Sequence, residues 1–225
     1  MMKNIITIDG PVASGKSSLA RALANKLGYY HINSGYFYRS LAYILLKYCK
    51  KTLEDLRVLD QEDIECIDLN KLEYVYDEGR PQVFYQGTDL TPHLKTRDID
   101  DGASIISTYS FIRRAVNTFQ HNLAGDHDIV IDGRDIGTIV FPEAKIKIFL
   151  TASEEERTSR WQNDQRKKGN MFSFDQSLAE VQERDRRDTT RNIAPLTIAE
   201  NALVIDNSNR SNEDIVNQVL DSMLK

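Results

Sequence analysis

An α/β fold built on a parallel sheet of about five strands is predicted by three observations in the sequence. Short apolar runs recur along the chain and are separated by stretches of helical periodicity. The first of them, NIITID (4–9), leads straight into the glycine-rich segment GPVASGKS (10–17). An amphipathic helix pattern follows at once, which is the strand–loop–helix context of a phosphate-binding loop.

Taking the elements in order, residues 4–9 suit a buried strand, because β-branched side chains pack well on a pleated surface and Asp-Gly ends the run. In GKSSLARALANKLG (15–28), Leu19, Leu23 and Leu27 fall on one helical face and Gly28 is placed as the C-terminal cap. A weaker strand at 29–32 and clearer ones at 129–132 (IVID), 146–150 (IKIFL) and 202–206 (ALVID) complete the sheet. Between about 70 and 91 the texture changes. LEYVYDEGRPQVFYQGTDLT alternates and turns twice at glycine, as a small antiparallel hairpin or three-stranded sheet does. We read 1–225 as one domain, with a core of about 1–60, 101–152 and 192–225, an insert of about 61–100 and a lid region of about 153–191. SEEE (153–156) and SFDQ (173–176) both read as capping boxes that start helices in the lid, with Gly169 between them.

Composition narrows the function classes. Hydrophobic content of 40% and charge of 28% suit a soluble globular chain. A formal net charge of −5 argues against a general nucleic-acid binder, so an anionic ligand must be met by local clusters of arginine and lysine. Cys49 and Cys66 show neither CxxC spacing nor a partner framework and read as reduced thiols of an intracellular protein. The N-terminus, MMKNIITIDG, reaches Asp9 and Gly10 too soon for a signal peptide's apolar region. The apolar stretch at Ile44-Leu45-Leu46 is too short to span a bilayer. A soluble, cytoplasmic monomer is expected, with small molecules as partners and neither a membrane nor a nucleic-acid polymer.

GPVASGKS matches G-x-x-x-x-G-K-[ST]. Glycines there let backbone N–H groups turn inward around phosphate oxygens, and the following helix N-terminus adds positive potential. The candidate nucleotide-binding residues are Gly10, Pro11, Val12, Ala13, Ser14, Gly15, Lys16, Ser17 and Ser18. Lys16 is placed to reach the β- and γ-phosphates of ATP and Ser17 to hold Mg²⁺. No N/T-K-x-D guanine signature is present, since NKLG and NKLE lack the Asp, and the acidic balance is wrong for a nucleic-acid motor. A small phosphotransferase with mobile flaps remains. The second motif, IVIDGRDIGTIVFPEA (129–144), presents Asp132, Gly133, Arg134 and Asp135 at the carboxyl end of a buried strand, where open α/β sheets bind ligands.

ERDRRDTTR (183–191) packs four arginines and three acids into nine positions. At about 100° per residue, Phe174, Leu178 and Val181 define an apolar face. Arg184, Asp188 and Arg191 then share one flank of it and Arg186 points nearly opposite. Asp188, four residues after Arg184 and three before Arg191, is expected to orient both guanidinium groups. Arg157 and Arg160, in the lid region, have two open readings. They swing onto ATP when the lid closes, or they are exposed and paired with Glu154, Glu155 or Glu156. The histidines at 31, 93, 121 and 127 lack metal-ligand spacing; Tyr74, Tyr76 and Tyr85 are expected to fill the insert's sheet and Trp161 to pack.

DGRDIGTIVFPEA (132–144) and NSGYFYR (33–39), together with GPVASGKS, RDRRDTTRNIAPL and ALVIDNS, resemble the bacterial cytidylate kinases over essentially the whole chain. The resemblance implies a P-loop NTPase three-layer core, an inserted acceptor-binding subdomain and a short helical lid. It implies transfer of the γ-phosphoryl group of ATP to CMP or dCMP with Mg²⁺. Ser34, Tyr38 and Arg39 match that family's acceptor motif, with Arg39, Arg134 and Arg191 meeting the acceptor phosphate. Ser104, Arg113 and Asp135 match positions around the cytosine ring, and Arg184 and Asp188 the sugar-contacting pair. Lys16, Arg134, Arg184 and Arg191 form the implied catalytic set. The chain departs from the family pattern at Asn33, where Asp is usual before Ser-Gly, at Val12, where a smaller residue is common, and at Ser18, where Thr is common. The alternatives are a kinase of another small acceptor (UMP, AMP or shikimate) and a non-catalytic nucleotide-dependent switch.

Overall fold

The computed structural model describes residues 4–125 and 127–223. In chain order it forms β1 (Ile5–Asp9), α1 (Lys16–Leu27), β2 (Tyr30–Asn33), α2 (Ser34–Lys47), β3 (Leu72–Asp77), β4 (Arg80–Tyr85), β5 (Thr88–Asp89), α3 (Arg97–Ile106) and α4 (Ser110–Ala124). It continues with β6 (Ile129–Gly133), β7 (Ile146–Thr151), α5 (Glu154–Lys167), α6 (Phe174–Thr190), β8 (Leu203–Asp206) and α7 (Asn212–Met223). Two compact units divide the chain, one spanning Met1–Tyr29 and Asp128–Lys225, the other Tyr30–His127.

The main sheet has five strands, as the periodicity predicts. Within the first unit its strands run parallel in the order β6-β1-β7-β8. Asp9 lies opposite Gly133, and Thr151 opposite Asp206. A parallel register gathers the carboxyl ends of these strands on one edge, so GPVASGKS, DGRD and the segment after Asp206 all open from the same side. Ile6, Ile8, Ile129, Val130 and Ile131 are completely buried. Consecutive positions point to opposite faces of a strand, so the sheet is covered on both sides. α1 buries Leu19, Ala20, Leu23 and Ala24 and ends at Gly28, whose φ of 70° and N–H bond to the Ala24 carbonyl form the expected cap.

In the second unit β3, β4 and β5 make a three-stranded antiparallel sheet. Its turns fall at Glu78-Gly79 and Gln86-Gly87, each a pair of residues with positive φ, the backbone that a tight hairpin requires. Tyr74 and Tyr85 are buried as expected. The Tyr74 hydroxyl also bridges to β2, accepting from the Asn33 N–H at 2.9 Å and donating to the His31 carbonyl at 3.0 Å.

Two expectations are corrected here. Cys49 and Cys66 are joined as a disulfide, with Cα atoms 6.3 Å apart. The chain after α2 folds back through short 3-10 turns at Asp55–Val58 and Glu62–Ile64, a tertiary return that cysteine spacing does not announce. Of the two capping boxes, only the one at Ser173 and Gln176 is reciprocal. Ser153 caps the Glu156 N–H at 3.3 Å, but the Glu156 carboxylate pairs with Arg160 at 3.2 Å, one turn further on.

Candidate active site

β1 delivers the chain to Gly10, where a Cβ would stand 2.0 Å from the Leu150 carbonyl oxygen. Gly15, at φ 99°, turns it into α1, and a Cβ there would lie 2.5 Å from the Asn207 side-chain nitrogen. Glycine alone suits both places. Lys16 opens α1 and folds back over its own loop, its Nζ donating to the Pro11 carbonyl at 2.5 Å and to Ser14 Oγ at 3.1 Å. Burial, followed by the charge of Arg134, pushes the Lys16 ammonium well below its ordinary pKa, while Asp132, Asp188 and Asp9 act in the opposite direction. A buried ammonium in such a field is better satisfied once an anion arrives. Ser17 Oγ donates to Asp132 Oδ2 at 2.7 Å, placing a hydroxyl and a strand-terminal carboxylate side by side.

The segment after β8 and the helices α5 and α6 brace this loop. Asn207 donates to the Ser14 carbonyl at 2.8 Å. Arg157 is buried, bonds the carbonyls of Ala152 at 3.1 Å and Val12 at 3.3 Å, and forms an ion pair with Asp185. The other oxygen of Asp185 accepts the Val12 N–H at 3.0 Å. Arg160 reaches the carbonyls of Asn207 at 2.8 Å and Ser14 at 3.4 Å. Of the two readings for these arginines, the exposed one fails for Arg157; Arg160 keeps its Glu156 partner but also touches the loop.

The DGRD segment and α6 interlock. Arg134 Nε donates to Asp188 Oδ2 at 2.6 Å, and Arg191 donates to Asp135 Oδ1 at 3.3 Å and to the Ala194 carbonyl at 2.7 Å. Asp188, expected beside Arg184 and Arg191, thus also takes Arg134 as a hydrogen-bonded partner that the helix pattern did not announce. α6 ends at Thr190 and Arg191 has extended backbone, φ −62° and ψ 141°, so the ideal-helix projection no longer describes it. Burial would raise the Asp188 carboxyl, but Arg134, then Arg184 and Arg191, outweigh burial and hold it below the usual carboxylate range. Phe174 is also corrected: it is 40% exposed, and the buried face of α6 runs through Ser177 and Val181. Arg186 is exposed and bonds Glu183 through two nitrogens at 2.8 and 2.9 Å, so it faces solvent as expected.

In the second unit the expected acceptor residues gather on three helices. Ser34, buried, begins α2. The Arg113 guanidinium of α4 lies 5.7 Å from the centre of the Tyr38 ring and donates to the Ser107 carbonyl at 3.1 Å, one turn beyond Ser104 on α3. Arg39 pairs with Asp100 at 2.7 Å.

The family model for cytidylate kinase matches residues 6–225. This chain belongs to the cytidylate kinase family. It is 38% identical over 221 residues to a cytidylate kinase of Mannheimia succiniciproducens, covering 98% of this chain and 96% of that protein. It is 37% identical over 225 residues to one from Caldicellulosiruptor saccharolyticus, covering 100% of this chain and 97% of that protein. For Bacillus subtilis the figures are 35% over 219 residues, with 97% and 95% covered. A solved structure of an uncharacterized protein from Eubacterium ventriosum superposes with a TM-score of 0.54 at 13% identity, covering 99% of this chain and 98% of that one, a likeness of fold alone.

For this cytidylate kinase family member, sequence reasoning named Asp132 without giving it a role and passed over three further residues that the fold sets against the motifs, Asp185, Asp100 and Asn207. Asp132 carried a signal, an acid ending a buried strand in a P-loop chain. Asp185 and Asp100 sit in acidic runs without a signature, and Asn207 follows a strand as an ordinary loop residue. Their roles depend on which strand ends are neighbours.

Proposed function

We propose that this protein transfers the γ-phosphoryl group of ATP to CMP or dCMP, giving CDP or dCDP and ADP. The observation that carries the reading is the crossed pair of bonds, Arg134 to Asp188 and Asp135 to Arg191. They join two of the segments that carry the family resemblance, beside a glycine-rich loop whose lysine feels Arg134 directly. Lys16 and the loop N–H groups take the ATP phosphates, and Arg157 and Arg160 steady the loop and line the nucleotide as residues 153–191 close over it. Arg39, Arg134 and Arg191 meet the acceptor phosphate; their planar donor forks suit its oxygens. Ser34 and Tyr38 support that end of the acceptor, Ser104, Arg113 and Asp135 read the cytosine ring, and Arg184 and Asp188 hold the sugar.

The acceptor is a phosphate monoester, already anionic near neutral pH, so no strong general base is needed. Positioning and neutralisation of charge carry the reaction. Ser17 and Asp132 would supply hard oxygens of the kind that suit Mg²⁺. When bound, the ion neutralises charge on the transferring phosphoryl group. We further read the protein as a cytoplasmic enzyme of pyrimidine nucleotide supply; among the described residues, no helix is long and apolar enough to cross a membrane. A coupled assay with ATP and Mg²⁺ across CMP, dCMP, UMP, AMP and shikimate tests the reading. Turnover is expected with CMP and dCMP above all others. A preference for UMP, AMP or shikimate, or nucleotide-dependent binding without transfer, would reject it.

A further inference from the structure

We propose that Asp9 is a positioning residue for the acceptor, its carboxylate holding the turn that follows Arg134 and Asp135. The inference rests on the kinase reading above and adds a residue that no motif assigns. Asp9 is the last residue of β1, and parallel pairing sets it opposite Gly133, at the start of the loop that carries Arg134. Its side chain is nearly fully buried, at 3% exposure. Oδ1 accepts the Ile136 N–H at 2.9 Å and Oδ2 accepts the Gly137 N–H at 2.7 Å.

Those two amides open a wide π-type turn, Ile136–Val140. The first N–H groups of any helical turn lack partners within it, and buried ones must find an acceptor elsewhere. One carboxylate answers two of them at once. The fit is close: a Cβ on Gly137 would come within 2.8 Å of Thr7 Oγ1 and 3.4 Å of Asp9 Oδ2. The turn is therefore clamped from β1, directly after the two residues whose side chains bind Asp188 and Arg191. If it rotates, Arg134 and Asp135 move with it.

The carboxylate is kept against its own solvation. Burial pushes the Asp9 carboxyl up to about 6, and Asp135 adds to the rise, although the Gly137 and Ile136 N–H groups and Lys16 all pull it down. A group whose ionised form is disfavoured, yet which is anchored to the segment bearing ligand-binding side chains, fits a site role better than a stabilising one.

Asp9→Asn tests this, because it keeps the size but turns an NH₂ donor toward one of the two amides. The expected result is a loss of about tenfold or more in kcat/KM for CMP, with KM for ATP within about twofold of the parent. At pH 8 the melting temperature should stay close to the parent's, since removing a disfavoured charge offsets the lost hydrogen bond. Gly137→Ala, whose Cβ would press on Thr7 Oγ1 and Asp9 Oδ2 and so push the turn off its clamp, should reproduce the CMP defect. Amide exchange at Ile136 and Gly137 should accelerate in Asp9→Asn, a readout that needs no activity. Parental CMP constants in both variants would overturn the proposal. So would a melting temperature far below the parent's with both substrates affected alike, which marks a purely structural carboxylate. If the parent protein does not phosphorylate CMP, the kinase reading fails by itself, and unchanged amide exchange would still refute the clamp.

Discussion

The phosphate loop and the arginine-rich helix place cations at the same edge of the sheet, but they restrain them by opposite means. Lys16 is held by its own neighbours, Pro11 and Ser14, within five residues of chain. The arginines are held by carboxylates that arrive from far away: Arg134 and Asp188 are 54 residues apart, Arg191 and Asp135 are 56. Their electrostatics differ accordingly. Lys16 is pushed down because burial and Arg134 outweigh the surrounding acids, whereas Asp188 is held down because its cations outweigh burial. In the loop, a buried ammonium sits in a field that disfavours its charge. The helix and DGRD form a network of paired charges. A short motif can carry its own geometry; a network exists only after the sheet has assembled its edge.

The largest effect should come from the loop. Lys16→Ala is expected to remove at least ~3 kcal/mol of transition-state stabilisation, more than about a hundredfold in kcat/KM, with little change in thermal melting. Parental turnover by a folded variant would reject the loop as the site of transfer.

The network comes next. Asp188→Ala leaves the Arg134 guanidinium without its carboxylate, and a double-mutant cycle with Arg134→Ala should show coupling of roughly 0.5–3 kcal/mol in kcat/KM. A sum of independent losses would dissolve the network. The pH dependence has a definite sign. The folded-state pKa of Asp188 is depressed, so its contribution to stability is present above its unfolded value and is lost as pH falls through the folded one. Urea midpoints measured from pH 7 down to pH 3 should therefore fall less steeply in Asp188→Ala.

Asp185 belongs to both regions, since it bonds the Val12 N–H and Arg157. Asp185→Asn keeps an acceptor for the amide but removes the charge facing Arg157, and KM for ATP should rise by about three- to tenfold, with less change in KM for CMP. An equal rise in both would mean that the helix does not act through the loop. The smallest effect is the control. Arg186→Ala, which loses only an exposed pairing with Glu183, should stay within about twofold of the parent in every constant.

Some of this was determined by the sequence alone. GPVASGKS between a strand and a helix, the hairpins turning at Gly79 and Gly87, the cap at Gly28 and the reciprocal box at Ser173 were legible, because each depends on residues within a few positions of one another. Arg186 was legible too, since it lies within regular helix where angular spacing holds. Tertiary structure decided the rest. The Cys49–Cys66 bond, the departure of Arg191 from α6 toward Asp135, the Asp185 and Asn207 contacts to the loop and the Asp9 clamp all join residues distant in sequence. Hydrogen bonds and ion pairs act over about 3 Å. Composition can supply the partners, but only strand register and helix ends bring them within that reach.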